Sequence, residues 1–204
     1  MIDGVVIGIV TDNVDPDNLC RIKVEFKVDS DPAVESTWIR MIRPMAGKDR
    51  GLVAIPEVGS EVVLGFAYRT LTPYVLGALH NGQDAPPYAN DDKENNLRVF
   101  KSRSGHEVTF DDTSGAKAIT VGSTSGAVVL KLDDPGGTLT AESGDKVQVE
   151  ADSKIEFKCV DFKVKASGSI SLEASGQASY KASASGTWEA TSSGTWKGSV
   201  VKIN

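Results

Sequence analysis

From Val147 to the end of the chain, large apolar residues return almost every eighth position: Val149, Phe157, then Val164 after one seven-residue step, then Leu172, Tyr180, Trp188 and Trp196. Eight residues is neither a helical heptad nor a hairpin spacing. It fits a short strand plus a tight corner, repeated as the chain winds about an axis. Several octads carry a second apolar residue two positions earlier, at Val147, Ile155, Phe162 and Ile170, and residues i and i+2 of a strand share one face. The corners are Ser-Gly pairs, among them Ser167-Gly168, Ser175-Gly176, Ser185-Gly186 and Ser193-Gly194. The tail therefore reads as a β-helix.

Two β-helices fit this period. Three octads make one coil of about 24 residues in a single-chain helix, or three chains each contribute one octad per turn of a shared prism. Toward Asn204 the inward positions thin to alanine, glycine and one aromatic per octad. A single coil of that composition has little apolar surface to set against its ordering entropy, whereas three chains on one axis pool their inward residues and cover each other's strand edges. Composition thus favours an intertwined homotrimer with Val149, Ile155, Phe157, Phe162, Val164, Ile170, Leu172, Tyr180, Trp188 and Trp196 in its core. If each octad advances by a strand spacing of ~4.8 Å, roughly ten octads form a needle on the order of 50 Å long.

The remainder is strand-rich. In residues 1–88, Gly4 to Val10 is apolar, Asp12 to Asn18 is an acidic turn, and Arg21-Ile22-Lys23-Val24-Glu25-Phe26 alternates. Trp38 to Ile42, Gly51 to Ile55, Glu61 to Phe66 and Tyr74 to Leu79 complete five or six short strands, with no helical period anywhere. An OB-type barrel is the expected solution, with Trp38, Phe26, Phe66, Tyr68 and Tyr74 mostly facing its core. The expected organisation is all-β: an OB-fold domain at 1–88, a linker and lead-in hairpin at 89–116, and an intertwined homotrimeric β-helix at 117–204.

Several function classes recede on composition. The 204 residues are 40% hydrophobic and 25% charged with net charge −6, which suits neither a nucleic-acid groove nor a membrane anchor. Met1-Ile2-Asp3 has no basic start, so cytoplasmic synthesis is expected. Cys20 and Cys159 fall in different domains without CxxC spacing and read as free thiols. The Asp12–Asn18 turn lacks the mid-loop glycine and final glutamate of a calcium loop and reads as a solvated hairpin loop. Gly47-Lys48 lacks the upstream glycine and following hydroxyl of a phosphate loop. Ser104 and His106 alternate on one turn and strand, a poor arrangement for a triad with Asp111 or Asp112. His80 reads as a strand-end residue beside Asn81-Gly82, and Asp133-Asp134-Pro135-Gly136-Gly137 as a corner insertion. No catalytic residue, metal site or cofactor is expected.

The order of motifs resembles a known family. Arg21 to Phe26, Trp38-Ile39-Arg40, Pro44-Met45-Ala46-Gly47-Lys48 with Gly51, Ile55-Pro56-Glu57-Val58-Gly59-Ser60-Glu61-Val62, and Gly77-Ala78-Leu79-His80-Asn81-Gly82 closing on Ala85-Pro86-Pro87-Tyr88 are similar to the OB domain of VgrG and phage baseplate spike proteins. Ser104-Gly105-His106-Glu107-Val108-Thr109-Phe110-Asp111-Asp112 resembles the hairpin by which they enter a trimeric β-helix. The resemblance implies a homotrimeric, non-enzymatic central spike of a contractile injection machine: a phage tail, a tailocin, a type VI system or an extracellular injection particle. It would be assembled in the bacterial cytoplasm and driven into a target envelope. With no hub-like domain before Met1, the hub is expected to be a separate protein at the barrel end. No lysozyme domain interrupts the barrel and needle, and no His-x-His pair marks a self-made metal tip. A PAAR-like tip protein is therefore expected on Val200, Val201, Lys202, Ile203 and Asn204. A receptor-binding β-helical tip or fibre is the alternative, and a small β-helical polysaccharide lyase or hydrolase a third.

Overall fold

The computed structural model describes residues 4–28, 32–67, 70 and 72–201. Met1, Ile2, Asp3, Tyr68, Lys202, Ile203 and Asn204, all used in the sequence reading, lie outside them. Among the described residues the structure is all-β, and no helix is long and apolar enough to cross a membrane. The chain divides into two compact units, 1–148 and 149–204.

In the first unit β1 (Val5–Asp12) pairs antiparallel with both β2 (Lys23–Phe26) and β6 (Glu61–Phe66). Short β3 (Val34–Glu35) extends β2, and β7 (Pro73–Leu79) extends β6, giving the order β3-β2-β1-β6-β7. Closure comes from Ile39 to Ile42. Ile39 bridges Ile22 antiparallel, while Met41 bridges Val75 in parallel, with Val75 N donating to Arg40 O at 3.0 Å and Ile42 N to Val75 O at 2.8 Å. One segment thus joins both edges of a five-stranded sheet, as an OB barrel requires. Trp38 to Ile42, read as a strand, serves as this two-bridge clasp. Of the segment Gly51 to Ile55, Gly51 alone lies in a strand, in a small hairpin of β4 (Ala46–Gly47) and β5 (Arg50–Gly51) that Leu52 N extends by donating to Met45 O at 3.1 Å.

Alternation selects the core: Val10, Ile22, Val24, Ile39, Val62, Leu64 and Val75 are at most 3% exposed. Gly8 shares that face because nothing larger fits; a Cβ there would sit 2.5 Å from Val24 Cγ1 and 2.8 Å from Glu25 O. The core is aliphatic, which corrects the expectation of an aromatic one. Phe26 and Phe66 rim it, edge to face at 5.9 Å. Trp38 and Tyr74 are half-buried, each with a cation over its ring, Lys23 Nζ at 5.3 Å and Arg40 Cζ at 5.1 Å. Five-strand barrels have narrow interiors, so branched aliphatics fill them and aromatics cap the ends.

Residues 97–143 form a second sheet, a meander of β8 (Leu97–Lys101), β9 (Glu107–Asp111), β10 (Ala118–Gly122), β11 (Val128–Asp133) and β12 (Thr138–Ser143), each antiparallel to the next. The sequence reading drew a boundary near residue 117; in the structure β10 pairs with β9 across it, Ile119 opposite Phe110 and Val121 opposite Val108. Turns of a few residues let these strands find partners within their own chain, and glycine supplies positive φ in them, as at Gly105 (90°) and Gly126 (67°).

The second unit differs. No described residue from 144 to 201 lies in a strand, and every one from 149 to 201 is exposed.

Candidate functional site

The meander has two unlike faces. In register across β9 to β12, Phe110, Ile119, Leu132 and Leu139 form one apolar row. Phe100, Val108, Val121, Leu130 and Ala141 form a second row beside it, on the same face because Val108, Val121, Leu130 and Ala141 each lie two residues from a member of the first row and Phe100 pairs with Val108. The opposite face carries Lys101 beside Glu107, and Thr109, Thr120, Lys131 and Thr140 in register. The apolar face is bare: Phe100 is 63% exposed, Phe110 47% and Leu139 69%. A contiguous apolar sheet face of this kind marks an interaction surface. Sequence reading missed it, although the spacings Val108-x-Phe110, Ile119-x-Val121 and Leu130-x-Leu132 carried the signal.

The octad residues form the second surface. Val149, Ile155, Phe157, Phe162, Val164, Ile170, Leu172, Tyr180, Trp188 and Trp196 are all 48 to 75% exposed in the single chain. Five of them meet in ring contacts: Phe157 with Phe162 at 5.4 Å, Tyr180 with Trp188 at 6.3 Å, and Trp188 with Trp196 at 5.6 Å. The last two contacts join residues eight apart, so the chain brings equivalent octad positions to one side. Yet among the described residues from 151 to 201 no backbone hydrogen bond joins one octad to another. Side chains of successive octads converge while their backbone N–H and C=O groups find no partner in another octad. Of the tip positions, Val200 and Val201 are exposed, and Lys202, Ile203 and Asn204 lie outside the described residues.

The catalytic and metal candidates have other roles. His106 Nδ1 accepts from Thr124 N at 3.3 Å, and Thr124 Oγ1 donates to Ser104 O, which ties the β8–β9 turn to the β10–β11 turn. Asp111 accepts from Thr113 N at 2.9 Å, so acid, histidine and serine do not converge. His80 follows β7 as a strand-end residue, its Nδ1 3.2 Å from Asp84 O. Asp133 to Gly137 forms the β11–β12 turn. Among the described residues no group of three or more His, Cys, Asp or Glu side chains could hold a metal ion.

The acidic turn is not solvated throughout, which corrects a second expectation. Asp15 is buried, and both its oxygens bind Arg21, with Nε at 2.8 Å and Nη2 at 2.6 Å. It also accepts from the backbone N–H groups of Asp17, Leu19 and Arg21. The guanidinium, and secondarily those amides, hold the Asp15 carboxyl well below the usual carboxylate range against the opposing effect of burial. The turn is a lock for the β1–β2 connection. A second cluster fastens the linker: Tyr88 Oη donates to Glu107, and Lys101 lies 3.2 Å from the same carboxylate. The Lys101 hydrogen bond lowers the Glu107 pKa and correspondingly raises its own.

Comparison with known proteins places the barrel. Residues 6–80 match the type VI secretion system/phage-baseplate injector OB domain family. The type VI secretion system spike protein VgrG2a of Pseudomonas aeruginosa is 29% identical over 135 residues, 62% of this chain and 16% of that protein. VgrG5 of the same organism is 33% identical over 129 residues, 58% of this chain and 16% of the relative, and VgrG3 of Vibrio cholerae is 29% identical over 122 residues, 56% and 12%. The chain thus spans under a fifth of the length of these three relatives. Residues 6–80, the five-stranded barrel closed by Ile39 to Ile42, thus carry an injector OB domain, and the chain is similar to VgrG spike proteins over 56 to 62% of its length.

Proposed function

We propose that this chain is the central spike of a contractile injection machine, a homotrimer whose barrels seat on a baseplate hub and whose needle is driven through a target envelope. The observation that carries this reading is the pairing of an injector OB domain with two apolar surfaces that the single chain leaves uncovered: the meander face and the octad column. Three copies on one axis cover both. The needle then spans residues 117–204, taking in β10 to β12 and the octads. Stiffness follows from cross-bonding between chains at each level. A separate hub contacts the barrel end, and a PAAR-like cone covers Val200 to Asn204, where a prism would otherwise expose strand edges. The same reading has the particle assembled in the bacterial cytoplasm.

One observation favours the alternative of a receptor-binding tip. Tyr180, Trp188 and Trp196 form an exposed aromatic column of the kind that stacks on sugars. Three-fold packing turns that column inward; a monomeric tail leaves it outward. Deletion of the gene in its host tests the function directly. The spike reading expects no assembled, contractile particles without the chain. Normal particles that contract but fail to adsorb would support the receptor-binding tip instead.

A further inference from the structure

The residue that follows the inward position of each octad is charged, and its sign alternates. Lys165, Glu173, Lys181, Glu189 and Lys197 lie eight residues apart without exception. Each follows an inward residue by one position, so strand alternation turns it outward, and all five are exposed. Upstream the series continues as Glu150, Lys158 and Lys165. Its one like-signed step, Lys158 to Lys165, falls where the spacing slips to seven residues. Within a single chain, among the described residues, none of the five pairs with another; Lys154 pairs instead with Glu156.

The ring contacts supply the geometry that gives this alternation a use. Equivalent positions of successive octads meet at 5.6 to 6.3 Å on one side of the chain while their backbones do not hydrogen-bond. Each octad therefore needs a strand neighbour from another chain. When three chains wind together and each moves to the next face at every corner, octad n of one chain lies against octad n+1 of the next. Strands stacked this way are ~4.8 Å apart, close enough for facing side chains to interact. In that register each interior charge of the column sits between two charges of opposite sign contributed by the other two chains. If the chains instead stacked equivalent octads, Lys would face Lys and Glu would face Glu at every level.

Resting on the homotrimer reading above, we infer that the column Lys165, Glu173, Lys181, Glu189 and Lys197 is an interchain ion-pair ladder that fixes the register of the three chains at one octad per neighbour. The occupant of this surface is a second copy of the same segment. Apolar side chains alone do not specify the offset well, because Leu172, Tyr180, Trp188 and Trp196 are bulky at every level and small residues surround them. Charge complementarity penalises the wrong offset more than it stabilises the right one, since a surface ion pair contributes little while like charges in register repel.

The test is a pair of variants of the full chain, with the oligomeric state of each read by sedimentation equilibrium. Exchanging two neighbours, Glu173→Lys with Lys181→Glu, keeps composition and net charge but converts two of the four opposite-sign steps to like-sign steps. Inverting all five positions keeps every step opposite. The exchange should lower the midpoint for thermal loss of the trimer by about 5 °C or more at low salt, and the gap should shrink at about 0.5 M salt. The five-fold inversion should restore the parent midpoint. An exchange variant that melts like a trimeric parent at low salt overturns the ladder, as does an inversion as damaging as the exchange. A parent that sediments as a monomer refutes the trimer itself, and the ladder with it.

Discussion

The barrel and the octad tail use similar residues to opposite ends. In the barrel, valine, isoleucine and leucine at alternate positions reach near-zero exposure within one chain, because a sheet that curls until Met41 meets Val75 covers its own inner face and its own edges. In the tail the same alternation leaves Phe157, Leu172 and Trp188 each more than 70% exposed. The difference lies in pairing. Barrel strands find hydrogen-bond partners inside the chain, whereas the described octads do not, and the proposed trimer assigns their burial to other copies. The meander stands between these cases, with each strand paired to its chain neighbour and one face left bare.

This contrast can be broken from either side, and the largest effect is expected in the tail. Trp188→Asp puts three carboxylates at one level of the proposed axis and removes an aromatic worth about 3 kcal/mol or more per chain on burial. The tail should no longer trimerise, while the barrel amides keep their protection in hydrogen exchange. A variant that still trimerises would turn Trp188 outward.

Leu64→Ala is the complementary change. Leu64 is fully buried among Val10, Val24 and Val75, so its truncation should destabilise the barrel by about 2–5 kcal/mol in denaturant melts and leave trimer mass unaltered. Gly8→Ala adds a methyl where Val24 Cγ1 and Glu25 O already stand within 3 Å of the new atom. The expected cost is about 1–3 kcal/mol, again confined to the barrel.

The smallest effect concerns pH. Asp15 has a folded pKa below its unfolded value of about 4, so its contribution is complete above that pH and is lost as pH falls below it. Thermal midpoints of the barrel should therefore drop between about pH 5 and pH 2.5. In Asp15→Asn, less stable at neutral pH, the drop should be shallower. Equal slopes would remove Asp15 from the account of acid lability.

The sequence was legible where the physics is local. Alternation in Arg21 to Phe26 and Glu61 to Phe66 marked strands that the barrel contains, and the eight-residue period marked the positions whose rings meet in the tail. It was less legible where the outcome depends on distant partners. Asp15 looked like one more solvated carboxylate because nothing in Asp12 to Asn18 shows that Arg21 folds back over it. Trp38 and Tyr74 carried core-like character, but the space inside a five-strand barrel favoured Ile39 and Val75 beside them. The boundary at residue 117 followed the lead-in hairpin, and the pairing of Ile119 with Phe110 across it depends on partners that no local pattern names.

The central claim is that the surfaces left bare by one chain are covered by two more. Sedimentation equilibrium of the intact chain at micromolar concentration measures this directly. The account predicts a single species of three times the 21.6 kDa chain mass, undiminished on dilution to the lowest concentration that can be read. A stable species at the single-chain mass would contradict it.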